Sequence, residues 1–206
     1  MKILAVSDQV DPLIYSPRVR DRFGDVDLVL SCGDLPYSYM EFITTMLGVP
    51  CLFVHGNHDC AEHTSGGCLL QEPGGWVDLD RRTVEVKGIL LAGLEGSIWY
   101  RPNARYQYRE REMALRAWRL LPGLLLNRMR YGRYLDILIA HAPPLGIHDS
   151  EDLAHRGFET FLRFMERFHP TYLLHGHQHV YGREVCETQY LATKVINVFP
   201  YKVIEW

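Results

Sequence analysis

At five places along the 206 residues, a short apolar run gives way to side chains that bind cations or carry protons. Run 3–6 ends in Ser7-Asp8. Run 26–30 leads to Cys32-Gly33-Asp34, and run 51–54 to Gly56-Asn57-His58-Asp59. Run 135–140 ends at His141, and run 172–174 leads to Gly176-His177-Gln178-His179. Carboxylate oxygen, amide oxygen and imidazole nitrogen are ligands of hard and borderline divalent cations. Two cations held about 3.5–4 Å apart need a bridging carboxylate and several terminal donors. The set offers both the number and the chemistry. Taken singly the pieces are weak, because Gly-Asp is a common turn and a His after an apolar run is ordinarily structural. Gly-Asn-His-Asp is more specific. Gly-His-Gln-His is stronger still, since alternate residues of an extended chain point the same way. Their joint occurrence carries the reading.

Those donors need elements that bring them together. Apolar runs of four to six residues, rich in Val, Ile and Leu and bounded by turn residues, predict buried strands. Segments 17–23, 39–47 and 158–168 predict helices. In the last, Phe158, Phe161, Leu162, Met165 and Phe168 recur at helical spacing before Pro170. Strand–helix–strand alternation implies parallel pairs, whose carboxyl ends share one rim. Segments 77–79, 83–86 and 89–91 predict further strands, the last two joined tightly through Lys87-Gly88. The tail predicts strands at 184–186, 190–192, 195–198 and 202–205. The whole reads as an α/β fold, two sheets packed face to face with helices outside. Segment 109–130 is helical but interrupted at Pro122-Gly123, as two helices or a helix and a lobe inserted around 105–132 in a single domain over 1–206. Segment 60–75 has four glycines and no periodicity, and is expected to be a loop.

Composition narrows the function. A net charge of -3 provides no general field for nucleic acid or an anionic membrane. No apolar run approaches the roughly 20 residues of a membrane span, and Met1 is followed at once by a strand-like run rather than a leader. The five Cys, odd in number and without a CxxC pair, fit reduced thiols and a cytoplasmic setting, with Cys60–Cys68 the one pairing worth naming.

Taken together, Asp8, Gly33-Asp34, Gly56-Asn57-His58-Asp59, His141 in His-Ala-Pro-Pro, and Gly176-His177-Gln178-His179 resemble the signature of the calcineurin-like metallophosphoesterases, over residues 8 to 179. The resemblance implies a four-layer αββα sandwich of two mixed β-sheets flanked by helices. It implies two divalent metal ions, manganese first, with iron, zinc, nickel, cobalt or magnesium as alternatives. Asp34 would bridge them. Asn57, His141 and His177 would complete the second metal site, and Asp8 and His179 belong to the first. His58 would protonate the leaving alkoxide, with Asp59 orienting it, while a metal-bridging hydroxide attacks phosphorus. The size and His-Ala-Pro-Pro-Leu-Gly resemble the small prokaryotic branch of the family, which implies hydrolysis of a phosphomonoester or phosphodiester of a small molecule. Self-association is left open.

One departure stands out. The family pattern begins Asp-x-His, and here it is Asp8-Gln9-Val10. Val10 cannot bind metal. Water could fill the gap, Asp11 could swing in from the turn before Pro12, or the first site could stay empty. The second reading follows from this loss: a weakened or inactive member of the fold serving as a protein-binding scaffold. Retention of His58, His141, His177 and His179 weighs against it. Other residues divide between site and background. His55, His63, His148 and His155 are minor candidates for the pocket, whereas His169 and His175 read as structural. Arg101, Arg105 and Tyr106 could meet substrate or form a solvated loop. Trp76, Trp99, Trp118 and Trp206 are expected in packing.

Overall fold

The computed structural model describes residues 1–63, 67, 69–181 and 185–206. The chain runs β1 (Lys2–Val6), α1 (Val19–Phe23), β2 (Leu28–Ser31), α2 (Tyr37–Leu47), β3 (Cys51–Phe53), β4 (Glu62–His63), β5 (Leu69–Leu70) and β6 (Val77–Asp78). It continues through β7 (Thr83–Val86), β8 (Ile89–Leu94), β9 (Ser97–Ile98), β10 (Gln107–Tyr108), α3 (Glu110–Arg119) and α4 (Leu121–Tyr131). The last third holds β11 (Ile137–Ala140), α5 (Glu159–Phe168), β12 (Tyr172–His175), β13 (Glu187–Tyr190), β14 (Thr193–Asn197) and β15 (Tyr201–Glu205).

Two large mixed sheets result. The first has the order β15-β1-β2-β3-β6, with β15 antiparallel to β1 and the rest parallel. The second has the order β13-β14-β12-β11-β8-β7, parallel in its centre with antiparallel edges. Period-two alternation sorts the side chains into layers. Ile3 and Ala5 of β1 meet Ile89, Leu91, Ile137 and Ile139 in the core between the sheets. Leu4 and Val6 face the other way, onto Val19, Phe23, Met40 and Ile43 of α1 and α2. On the far side, Leu90, Ala92, Leu138 and Leu173 pack under Met113, Leu124, Phe161 and Met165 of α3, α4 and α5. These three cores make the four layers α, β, β and α.

Several expectations need correction. Segment 60–75 is more than a loop: β4 and β5 form a small antiparallel ladder, Glu62 opposite Leu70 and His63 opposite Leu69, and Glu62 accepts hydrogen bonds from Ser38. The interruption in 109–130 lies at Leu120, between α3 and α4, rather than at Pro122-Gly123. Pro122 sits in the first turn of α4, where its missing N–H costs nothing. A side chain at Gly123 would strike Thr83 at 2.2 Å, so the glycine lets the helix approach β7. Leu191 and Ala192 are the turn of the β13–β14 hairpin rather than strand. Of the strand expected at 184–186, Glu184 lies outside the described residues and Val185-Cys186 form none. Cys68 lies outside them too, so the Cys60–Cys68 pairing does as well. Trp118 is 64% exposed and packs little, unlike the buried Trp76, whose indole N–H donates to the Met40 carbonyl. Lys87 and Gly88 both take positive φ, 51° and 87°, the mirror-image turn that suits a tight hairpin.

Candidate metal centre

The parallel strands of both sheets deliver their carboxyl ends to one rim. Asp8 follows β1, Asp34 lies beyond β2, and Asn57 lies beyond β3. His141 follows β11, and His177 and His179 lie beyond β12. The first sheet supplies the oxygen donors and the second the imidazoles. Donor atoms of Asp34, His141 and His177 all lie within 4.8 Å of one another. The Asn57 Oδ1 is 3.0 Å from His141 Nε2, and the Asp34 carboxylate is 3.3 Å from the same nitrogen. Asp8 holds its place by accepting the His177 backbone N–H at 2.9 Å. His179 stands 3.7 Å from Asp8 and is half exposed, stacked on Phe199.

Glycines let the loops come this close. A Cβ on Gly33 would fall 2.3 Å from the Gly56 nitrogen, and one on Gly56 would fall 2.0 Å from an Asp34 carboxylate oxygen. At Gly176 it would meet Ser7 Oγ at 1.9 Å and Asp8 at 2.3 Å. Asp8, Asp34 and His177 themselves sit at φ of 64°, 57° and 66°. That region costs a residue with a side chain on the order of 1 kcal/mol, and Asp, Asn and His tolerate it best.

The imidazoles have fixed tautomers. His141 donates its Nδ1–H to the Cys32 carbonyl at 2.7 Å, and His177 donates its Nε2–H to the Ala154 carbonyl at 2.7 Å. His141 Nε2 and His177 Nδ1 are thereby left as the ligand atoms, in the manner of metal-binding histidines whose second nitrogen is anchored. Burial disfavours a charge on His141, but the facing Asp34 outweighs it and raises the imidazole to about 9. Burial would also raise Asp34, yet His141 and the N–H of His58 hold it at about 2. Burial, then the neighbouring His141 charge, lowers His177 to about 4. A proton on His141 Nε2 thus bridges the oxygens of Asp34 and Asn57. An ion would take that position and release the proton. The donor set therefore fits a divalent cation.

The remaining candidates separate clearly. His58 is exposed, while its backbone N–H donates to Asp34 at 2.8 Å. The Asp59 carboxylate accepts the Gly56 N–H at 2.8 Å; burial and the nearby Asp34 charge raise it to about 6. Asp11 is occupied elsewhere: its carboxylate accepts the Leu13 N–H at 2.8 Å. Val10 packs toward the core beneath α1 and α2. His55 is buried; it stacks on Tyr106 at 4.4 Å and meets Glu95 at 3.2 Å. Arg116 ties Glu95 to Asp80. Arg101 and Arg105 are exposed, Arg101 lying 5.9 Å from the Tyr100 ring centroid. His155 lies 5.1 Å from the His177 ring and pairs with Asp152. His148 is 3.0 Å from the buried His175 and reaches Thr188 beyond it. His169 caps α5 in a left-handed conformation. His63 lies exposed in β4, opposite Leu69. The residue the sequence did not flag is Tyr100, whose hydroxyl accepts from Asn57 Nδ2 at 3.1 Å and so turns the amide oxygen toward His141. A tyrosine in a loop carries no spacing signal for such a role.

Comparison with known proteins gives the family and the fold. The family model described as calcineurin-like phosphoesterase matches residues 1–181. The crystal structure of TT1561 of Thermus thermophilus superposes with a TM-score of 0.61 at 15% identity, covering 96% of this chain and 88% of that one. GAP50, the anchor in the inner membrane complex of Plasmodium, superposes with a TM-score of 0.54 at 13% identity, covering 96% and 70%. No curated protein sequence matches. The two structures share the fold, and the family model covers most of the chain. With strand ends converging on one set of oxygen and imidazole donors, the chain belongs to the calcineurin-like phosphoesterase family.

Proposed function

We propose that the protein is a metal-dependent phosphoesterase that hydrolyses a phosphomonoester or phosphodiester of a small molecule. The observation that carries this reading is the closeness of the Asp34, His141 and His177 donors, within 4.8 Å, with the second nitrogen of each imidazole anchored on a backbone carbonyl. Two divalent cations, manganese first among candidates, would supply an ionised water and neutralise the phosphoryl oxygens. In this reading Asp34 would be shared by the two cations, Asn57, His141 and His177 would hold one of them, and Asp8 and His179 the other. His141 Nε2 and His177 Nδ1 would be the nitrogens offered to an ion, because the Cys32 and Ala154 carbonyls hold the N–H on the other side of each ring. His58, exposed beside these donors, gives its proton to the departing alkoxide. Asp59 acts on the same turn through the Gly56 amide, keeping the Asn57-His58 backbone folded against Asp34. No helix among the described residues is long and apolar enough to cross a membrane.

The test is turnover of p-nitrophenyl phosphate and bis-p-nitrophenyl phosphate with added manganese, beside elemental analysis of protein purified without chelator. His58→Ala should lose most turnover and keep its metal. His177→Ala should lose both. Absence of bound metal together with no turnover of either ester would move the protein to the second reading. That reading, a scaffold that has lost catalysis, is favoured by one observation: Val10 stands where the family carries an imidazole.

A further inference from the structure

The helical layer over the second sheet is apolar on both of its faces. Toward the sheet, α3, α4 and the residue between them bury Met113, Ala117, Leu120 and Leu124. On the other side Leu115 is 66% exposed and Met129 83%, and Trp118 and Leu126 are exposed with them. Leu115, Trp118, Pro122, Leu126 and Met129 recur every three or four residues, the spacing of one helical face. Leu120 keeps right-handed helical angles, φ -72° and ψ -21°, so the face carries across the break. A surface helix ordinarily turns its apolar face inward, and a second apolar stripe left outside marks a contact surface.

Charge says what that surface meets. From Met113 to Tyr131 there is no acidic residue, while Arg116, Arg119, Arg128 and Arg130 fall in the same stretch. Arg116 is spent on Asp80 and Glu95, and Arg128 donates to the Gly132 carbonyl. Arg119 and Arg130 are exposed and form no ion pair among the described residues. The two acids of α3 lie in its first turn and are engaged there. Glu110 accepts from the backbone and hydroxyl of Thr160 at 2.6 and 2.5 Å, and Glu112 accepts the Arg109 N–H at 2.7 Å. Neighbouring α5 is balanced, Glu159 and Glu166 against Arg163 and Arg167. The groove between α3 and α5, about 220 Å³, is lined by Trp118, Leu121, Phe164 and Phe168 and by no acid. The net charge of -3 thus conceals a face that is both apolar and basic.

We infer that this face lies against an anionic lipid surface, with Trp118, Leu126 and Met129 entering the headgroup boundary and Arg119 and Arg130 meeting lipid phosphates. Apolar side chains flanked by arginines are the composition of helices that lie in a membrane interface. Each basic side chain near an anionic leaflet adds to the attraction, and an indole, apolar in body with one N–H, suits that depth. A second copy fits less well, because a two-fold contact sets the same arginines against each other. Nucleic acid offers nothing to Leu115, Leu126 and Met129. A partner helix would seat in the groove, whereas Leu115 and Met129 stand out from it as a ridge. The contact does not depend on the phosphoesterase reading.

The probe is vesicles of phosphatidylcholine with about one-third phosphatidylglycerol, sedimented with the full chain at low salt, beside vesicles of phosphatidylcholine alone. Binding to the anionic vesicles is expected to be at least about tenfold stronger and to fall as salt is raised. Trp118→Ala with Met129→Ala, and separately Arg119→Gln with Arg130→Gln, should each weaken it about tenfold. Thermal unfolding should be the same for both double variants as for the parent, since these side chains are exposed. Trp118→Phe should keep the binding and lose most of the blue shift in tryptophan emission that the vesicles produce. Equal binding to the two vesicles, binding to neither, or anionic binding that either double variant leaves unchanged would overturn the contact. So would a dimer in sedimentation velocity that Trp118→Ala with Met129→Ala disperses, which would give the face to a second copy.

Discussion

The two sides of the metal centre are built to different standards. On one side Asp34, Asn57, His141 and His177 are drawn tightly together, His141 wholly buried and its tautomer fixed. On the other, Asp8 and His179 are 3.7 Å apart, His179 is half exposed, and Val10 has turned toward the hydrophobic core. A donor set that is buried and anchored from behind loses little freedom when an ion arrives. A set missing one member and open to water relies on solvent to complete it. Affinity for the two ions should therefore differ, with the tight side filled first.

The largest contrast should come from removing one imidazole on each side. His141→Ala is expected to lower metal affinity more than about 100-fold and to leave Asp34 without its partner, whereas His179→Ala should cost about tenfold or less. Metal content after dialysis at fixed free manganese reads both; similar losses would erase the distinction between the sides.

Next in size is the pH dependence of the metal-free protein. The raised His141 contributes stability that is complete below pH 6.5 and lost as pH rises through about 9. His175 and His177, lowered mainly by burial to about 3 and 4, act oppositely: their contribution is complete above pH 6.5 and fades as pH falls toward those values. Stability should therefore peak near pH 6.5 and fall by on the order of 2–3 kcal/mol toward pH 9. Urea melts in chelator at pH 5, 6.5 and 9 check this, and a monotonic trend would contradict it.

Val10→His tests the thin side directly. If the missing imidazole can turn toward Asp8, a second equivalent of metal should bind about tenfold more tightly. No gain, with some loss of stability, would mean that packing beneath α1 and α2 fixes the direction of that side chain. The smallest effect belongs to Asp11→Ala. Because its carboxylate serves the Leu13 amide, metal content should not change and stability should fall by about 1 kcal/mol or less. Loss of metal here would make Asp11 a ligand after all.

The difference between the sides also shows what a sequence can carry. Strand ends that stop in Asp, Asn or His are legible because apolar runs and polar termini follow from burial itself. The order of donors along the chain was therefore readable, as were the two sheets, helix α2 and the apolar face of α5. The small β4–β5 ladder was not, since two-residue strands leave no periodicity. Nor was the helix break at Leu120, because Pro is a breaker only beyond a helix's first turn. The Tyr100–Asn57 contact and the Arg116–Glu95–His55 chain depend on tertiary approach between segments dozens of residues apart, and no local pattern encodes them.

The near-contact of Gly33 with Gly56, and of Gly176 with Ser7, has a consequence for how the centre is loaded. Neighbouring strand ends of the first sheet, and at Gly176 the two sheets themselves, already meet where no Cβ intervenes, so the seat for an ion is shaped before any ion comes. Its filling is then expected to be paced by departure of the proton shared among His141, Asp34 and Asn57, with no loop closure in the way, and uptake should quicken as the medium becomes more alkaline.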